Sequence, residues 1–293
     1  MQLYEHSGAV TISGLILASL VGVVTGCVLG GVYTFTLILI PFIYINFLLT
    51  AGFGAVIGVV VGWAAKVGKI RNNLVVGFLG FVFGLVGLYF AWAVAPLVRL
   101  EGGFVAWNPE IILKYLELLY ENGSWTLFGD NPVKGIFLLL VWILEGGIIL
   151  TLAVSLALSP VMTRPFCERC HEWTTIEEDV QRLSLEDAQE TLLQRILEGE
   201  IDALGEFFRA EEDEAVYLRL DLAHCLICLD SNFLTIQTIT QTTDKNGDLS
   251  TEEESLVGNL VIGEVDMESV RNAGRDRPPD EDEAEAEEAD QPS

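Results

Sequence analysis

The chain has 293 residues, with 16 Lys+Arg against 42 Asp+Glu, a formal net charge of -26 and 51% hydrophobic residues. Strongly acidic chains are ordinarily polar, so this pairing excludes one ordinary soluble domain, a secreted disulfide scaffold and a basic nucleic-acid binder. The contradiction resolves along the chain: residues 1–160 carry 6 basic and 7 acidic residues, and residues 161–293 carry 10 basic and 35 acidic ones. The first part reads as a membrane domain and the second as an acidic soluble region, with the boundary near Pro160.

From Ser7 to Ala65 there is no Asp, Glu, Lys or Arg, a run of 59 residues. One crossing takes about 20 apolar residues, so this run predicts two helices. They are placed at 9–36 and 42–65, with Pro41 as the breaker between them. Two further apolar runs predict helices at 73–98 and 135–159, the last interrupted only by Glu145. Backbone groups in lipid must be satisfied within the segment, so the expected fold is a membrane all-α four-helix bundle. The first residues, Met1-Gln2-Leu3-Tyr4-Glu5-His6, carry no basic cluster, and the first helix reads as an uncleaved anchor.

Lys66, Lys69 and Arg71 cluster between the second and third helices and predict a cytoplasmic connection. Four crossings then put both termini in the cytoplasm, at the inner membrane if the cell is bacterial. The outer connection contains Asn108-Pro109-Glu110, a helix start with Asn as cap and Pro in the first turn. With Trp107, Trp125 and Phe128 nearby, the helix that follows lies either at the outer membrane surface or on top of the bundle.

Small residues recur at four-residue spacing: Gly14, Ala18, Gly22, Gly26 and Gly30, then Gly54, Gly58 and Gly62, then Gly80 and Gly84. Each set shares one helix face, in the manner of a glycine zipper. The faces suit a pore, a homo-oligomer seam or, the reading favoured here, tight packing within one bundle. Glu145 sits midway along the fourth helix, where charge is costly. It reads as a proton- or cation-handling carboxylate facing Asn46, Thr50 or Tyr44, or as a protonated residue joining helices. No second acid or basic partner lies within the other helices, which favours the structural role.

Of the five cysteines, Cys27 lies within the first helix as a small packing residue. The other four form two pairs, Cys167-Glu168-Arg169-Cys170 and Cys225-Leu226-Ile227-Cys228. A two-residue spacer turns both thiolates of a knuckle toward one ion, and two knuckles close a four-cysteine shell. A reducing cytoplasm leaves these thiolates to a metal. Zinc is the expected ion, in a structural role, with iron in a rubredoxin-like site the alternative. His171 and His224, each beside a cysteine, are second-choice ligands.

Phe166-Cys167-Glu168-Arg169-Cys170-His171-Glu172-Trp173 and His224-Cys225-Leu226-Ile227-Cys228 resemble the two knuckles of a zinc ribbon. The whole arrangement is similar to uncharacterised bacterial multi-pass membrane proteins with a cysteine-knuckle tail. That resemblance implies a small α+β metal domain at 161–270. Two departures stand out. Neither knuckle has Gly after its second cysteine, and 54 residues separate Cys170 from Cys225, against about 15–20 in a common ribbon. The gap predicts a helical insertion at 184–209, capped by Ser184, with Leu192, Leu193, Ile196 and Leu197 on one face. Ile201 to Phe208 forms its second helix, after Gly199. Strands are predicted at 215–222 and 232–242.

Asp244-Lys245-Asn246-Gly247-Asp248 resembles the start of a calcium loop, but Leu249 and Ser255 stand where Gly and Glu are needed. Asn246-Gly247 reads instead as a hairpin turn. From Arg271 onward, with Pro278-Pro279-Asp280-Glu281, the chain has nothing to bury and is expected to form a disordered acidic tail. No phosphate-binding loop, nucleophile elbow or hydrolase metal motif is present, and four cysteine ligands leave no open position for catalysis. The expected role is non-enzymatic: a bilayer-anchored metal domain that binds a cytoplasmic protein. A transport or channel role through Glu145 and an electron-transfer role through iron are the alternatives.

Overall fold

The structure is a computed structural model that describes residues 2–40, 43–100, 103–125, 132–185, 194–196, 198–211, 214–228, 230–243 and 249–276. It divides into two compact units, one made of His6–Thr163 and the other of Met1–Glu5 with Arg164–Ser293.

The first unit is helical. Its elements are α1 (Ile12–Leu39), α2 (Ile43–Val67), α3 (Asn73–Arg99), α4 (Pro109–Asn122) and α5 (Gly135–Met162). All but α4 are long and apolar enough to cross a membrane. The predicted breaker Pro41 lies outside the described residues. The fourth span runs past the expected boundary at Pro160, which sits in the last helical turns. Room for that ring comes from Gly62, where an added Cβ would fall 2.9 Å from Pro160 Cγ.

The four-residue stripe on α1 is its buried face: Gly14, Ala18, Gly22, Gly26 and Gly30 are all covered. α1 packs on α3, α2 on α5, and α3 on α5. Glycines stand where backbones meet. A Cβ at Gly30 would lie 2.6 Å from Gly87 O, one at Gly54 2.6 Å from Ile149 O, and one at Gly80 2.7 Å from Ala153 O. In lipid there is no hydrophobic drive between helices, so this close backbone approach supplies the packing attraction. Outward positions such as Leu20, Leu48 and Leu74 are exposed and apolar, as a lipid-facing surface requires.

α4 starts as predicted: Asn108 Oδ1 accepts the Glu110 N–H at 2.9 Å, and Pro109 opens the helix. Its buried Ile112 packs with Ala93 and Ala106, beside Tyr89 and Trp92. Phe128 lies outside the described residues.

The second unit is built on antiparallel sheet. A two-stranded piece joins β1 (Phe166–Cys167) to β2 (Glu172–Trp173). A four-stranded sheet runs in the order β3 (Thr175–Ser184), β4 (Val216–His224), β5 (Asn232–Thr243) and β6 (Leu249–Ile262). Leu218, Leu220 and Leu222 of β4 alternate onto one face and meet Leu234, Ile236, Val257 and Leu260. A short 3-10 helix (Ile201–Glu206) and the helix α6 (Glu264–Arg271) cover that face with Leu204 and Val270.

Several expectations change. The two predicted strands are β4 and β5, but β3 and β6 were not predicted. Ser184 is not a helix cap: it ends β3, donating its hydroxyl to Glu214 Oε1 at 2.7 Å and its N–H to Phe208 O at 2.8 Å. Ile201–Glu206 is a 3-10 helix, because Phe207 turns extended and Arg275 N–H bonds Phe207 O. Gln194–Ile196 and Glu198 are helical, while Leu192, Leu193 and Leu197 lie outside the described residues. The turn at Asn246-Gly247 also lies outside them, although β5 and β6 pair up to Thr243 and Leu249 on either side of it. The ordered domain continues past Arg271, since Ala273 is buried in the core and Arg275 pairs with the Phe207–Arg209 backbone. The tail beyond Asp276 lies outside the described residues.

The glycine contacts make a direct prediction. Gly58→Leu forces its side chain into the Ala153 and Leu152 carbonyls and should destabilise the bundle by about 1–3 kcal/mol. Gly52→Ala, with nothing within 4 Å of its Cβ, should be neutral or slightly stabilising. Thermal unfolding in detergent checks both.

Candidate metal centre

The two cysteine pairs sit in the turns of two hairpins. β1 pairs with β2 through Phe166↔Trp173 and Cys167↔Glu172, and the Phe166 and Trp173 rings meet edge to face at 5.0 Å. That pairing closes the first knuckle. The second lies between β4 and β5, where Cys225 N–H donates to Ser231 O at 3.0 Å. His224↔Asn232 is the last pair before it. Thr175↔His224 ties β3, which follows the first knuckle, to the end of β4 that carries the second.

The four sulfurs converge. Cys167, Cys170, Cys225 and Cys228 lie with their Sγ atoms within 4.8 Å of one another, and Cys167 and Cys228 are 3.6 Å apart. No disulfide joins them. A tetrahedral shell with metal–sulfur bonds of about 2.3 Å has sulfurs about 3.8 Å apart, so a slight contraction onto one ion completes it. Cys167 and Cys225 are buried; Cys170 and Cys228 are partly exposed. The donor set is all soft sulfur, suited to zinc or iron, and neither His171 nor His224 belongs to it.

Neighbouring groups prepare Cys167 to be a thiolate. Burial opposes its ionisation, but donation from Ser231 Oγ at 3.2 Å and from the Cys170 N–H at 3.4 Å, with the adjoining thiols, brings it down to about 7. Burial, the neighbouring thiols and the Cys167 charge push Cys170 up to about 12. The Cys167 thiolate therefore forms readily, and a cation would help to ionise Cys170. Arg169 and Asp230 form an ion pair joining the two knuckles.

His171 takes the place where a knuckle commonly has glycine. It adopts the left-handed region, with φ +54°, immediately after Cys170. The missing glycine thus marks a strained residue rather than a different turn. His224 is buried, with Nε2 3.7 Å from Glu177 Oε1, and Glu177 also pairs with Arg271 at 2.7 Å. Ser231 was not anticipated; its one sequence signal is its position three residues after Cys228.

Within the helical unit, the polar residues form a smaller group. Tyr33 OH and Thr50 Oγ1 are 2.8 Å apart, and Thr50 Oγ1 donates to Asn46 O at 2.8 Å. Asn46 Oδ1 is a buried atom without a hydrogen-bond partner among the described residues. Glu145 is half-buried and within electrostatic reach of Tyr33 and Arg99. Tyr44 is exposed and stands apart from this group.

No protein-family model, curated protein or solved structure matches the chain. Fold and site together define its class: a protein with four helices able to span a membrane and a four-cysteine cluster able to hold a metal ion.

Two outcomes follow for the knuckles. His171→Gly should be neutral or stabilise by up to about 1 kcal/mol, because glycine adopts the left-handed region freely. His171→Val, β-branched, should cost more than about 1 kcal/mol. Chemical denaturation of the full chain distinguishes them. The metal-free chain should also show a pH signature. Cys167 is lowered from 9.0 to about 7 on folding, so its contribution is fully present above pH 9 and lost as pH falls through about 7. Cys167→Ser should flatten that part of the stability profile.

Proposed function

We propose that the protein is a bilayer-anchored scaffold whose zinc-stapled domain binds another protein in the cytoplasm, without catalysis of its own. The observation that carries this reading is the convergence of four cysteine sulfurs from two hairpin turns. Hairpin-borne CxxC pairs support a zinc-ribbon-like arrangement, and four thiolates around one ion leave no coordination position for substrate. Zinc and iron fit the same four-thiolate shell; zinc is favoured because neither knuckle has the glycine after its second cysteine, and iron would make the shell an electron carrier.

Glu252 and Glu254, exposed at alternate positions of β6, favour a basic protein surface as partner. The cytoplasmic orientation draws on Lys66, Lys69 and Arg71 between α2 and α3. That both ends lie on one side is supported by Leu3, which bridges to Leu260 within the second unit. The segment before the first span and the domain after the last thus belong to one folded body, as an even number of crossings requires.

Metal analysis of the purified full chain tests the proposal. One zinc per chain, lost in Cys167→Ser and Cys225→Ser, is expected. A visible-absorbing iron protein would transfer the reading to electron transfer. Less than one metal per chain, unaffected by these substitutions, would sink both.

A second reading has its own observation: the Tyr33–Thr50–Asn46 chain and half-buried Glu145 place polar groups inside an apolar bundle. Such groups mark ion or proton paths in many membrane proteins. If transport is the function, Glu145→Gln should abolish ion or proton flux in reconstituted vesicles while leaving the fold intact. Unchanged flux would remove this reading.

A further inference from the structure

Residues 2–4 stand at the far end of the sequence from the sheet, yet they extend it. Leu3 bridges antiparallel to Leu260, Tyr4 N–H donates to Asn259 O at 2.9 Å, and Val261 N–H donates to Gln2 O at 3.0 Å. The Tyr4 ring meets Phe233 edge to face at 5.0 Å. Its hydroxyl accepts the Phe166 N–H at 3.0 Å. Phe166 immediately precedes the metal-ligand candidate Cys167 and is half of the two-residue strand β1. Leu3 itself is 54% exposed, so the segment is held mainly by backbone pairing and by Tyr4.

The same stretch of chain is pinned again a few residues later. Ala9 O accepts the Arg71 N–H at 2.9 Å and Gly8 O accepts Asn72 Nδ2 at 3.1 Å, both from the loop between α2 and α3. Only Glu5, His6 and Ser7 separate the two attachments, and α1 begins at Ile12.

We propose that the N-terminal segment is a strap coupled to the four-cysteine site, so that metal occupancy is reported to the start of the first span. The inference rests on the reading that the site binds metal. β1 is held on one side by Phe166↔Trp173 and by Thr174, which donates its N–H and hydroxyl to Pro165 O; Cys167 bound to metal would hold its other end, and with it the N–H that Tyr4 receives. When the metal leaves, Phe166 is released, the Tyr4 hydroxyl loses its donor and the marginal strand 2–4 loosens. Linkage makes the coupling reciprocal: the factor by which metal protects the strap is the factor by which the strap tightens metal binding. The isolated segment 161–270 lacks this strand and is an incomplete version of the domain.

The test uses the full chain in detergent, with zinc as the probe. Hydrogen exchange is followed at the Tyr4 and Val261 amides with one zinc bound, after stripping by a chelator, and after zinc is restored. Stripping should accelerate exchange at both by about fivefold or more, the scale of one hydrogen bond, and zinc should reverse it. The mid-sheet amides of Leu220 and Ile236 should change much less. Tyr4→Phe, which keeps the ring against Phe233, should speed zinc transfer to a competing chelator by a similar factor. Unchanged exchange at Tyr4 and Val261 in a chain that binds one zinc overturns the strap and leaves the metal site standing. Equal acceleration at Leu220 and Ile236 assigns the effect to unfolding of the whole sheet and also overturns it. A chain that binds no metal removes the metal reading itself.

Discussion

Four cysteine thiols within 4.8 Å of one another are unfavourable neighbours once they ionise. Unit charges about 4 Å apart repel by on the order of 4 kcal/mol at the effective dielectric of a protein surface. Cys170 is accordingly pushed up to about 12, by burial and by the neighbouring thiols, while Cys167 is lowered to about 7. A divalent ion would offset these repulsions by its attraction to each thiolate. It would also join two knuckles already brought together by Thr175↔His224 and Arg169–Asp230. β1 and β2 contribute two residues each, and the second knuckle begins where β4 ends. β1, the start of β3 and Tyr4 all lie beside those sulfurs, each also held by contacts of its own: Phe166↔Trp173, Thr175↔His224 and Tyr4 against Phe233.

The helical unit obeys a different constraint. Its surface is apolar on both the inner and outer sides, so burial of apolar area does not distinguish one packing from another in lipid. Close approach does. Gly14, Gly30, Gly54, Gly58, Gly62 and Gly80 each face a backbone carbonyl so closely that an added Cβ would fall less than 3 Å from its oxygen. Hydroxyls find partners within the bundle, as with Thr34 Oγ1 donating to Ala91 O at 2.7 Å and Tyr33 OH 2.8 Å from Thr50 Oγ1. The interior is thus specified by the absence of side chains as much as by their presence, which is why the glycine stripe was readable from spacing alone.

That difference explains what the sequence disclosed. The spans, the start of α4, the strands β4 and β5 and the cysteine shell each leave a local mark: an uncharged run, an Asn-Pro cap, apolar alternation, a CxxC spacing. β3 leaves none, and β6 only the Asn246-Gly247 turn signal ahead of it. Thr175–Ser184 carries Glu177, Glu178 and Asp179 in succession, and β6 carries Glu252 to Glu254, so neither resembles a strand until its partner is known. β3 also contains a bulge between Glu177 and Gln181, where Asp179 turns to φ +57° and its N–H reaches Asp221 Oδ1 at 2.7 Å. The bulge breaks the two-residue period that a strand reading depends on. Ser184 looked like a helix cap because Glu and Asp follow it; its actual partner, Glu214, lies thirty residues on. Tyr4 accepts from Phe166, beside Cys167, across 162 residues, and Ser231 donates to Cys167 across 64; pairings at such separation have no local signature.

The opening imbalance of charge takes a definite form in the folded domain. Six of its arginines are already committed to acids: Arg169 to Asp230, Arg182 to Asp179, Arg195 to Glu200 and Glu206, Arg209 to Asp276, Arg219 to Asp221 and Glu253, and Arg271 to Glu177. Arg275 lies over the Phe208 ring, 4.4 Å from its centroid. Basic residues are thus spent on linking segments, and the negative excess is left on the surface. Glu252 and Glu254, neighbours along an exposed strand, repel across the solvent face of β6. Such repulsion weakens with salt, since the Debye length shrinks to about 8 Å at physiological ionic strength. A basic partner would relieve it more fully by replacing mobile counter-ions with fixed ones. The acidity therefore does not select a reaction, but it does set the sign of any surface that can dock on this domain, and it makes that docking sensitive to ionic strength.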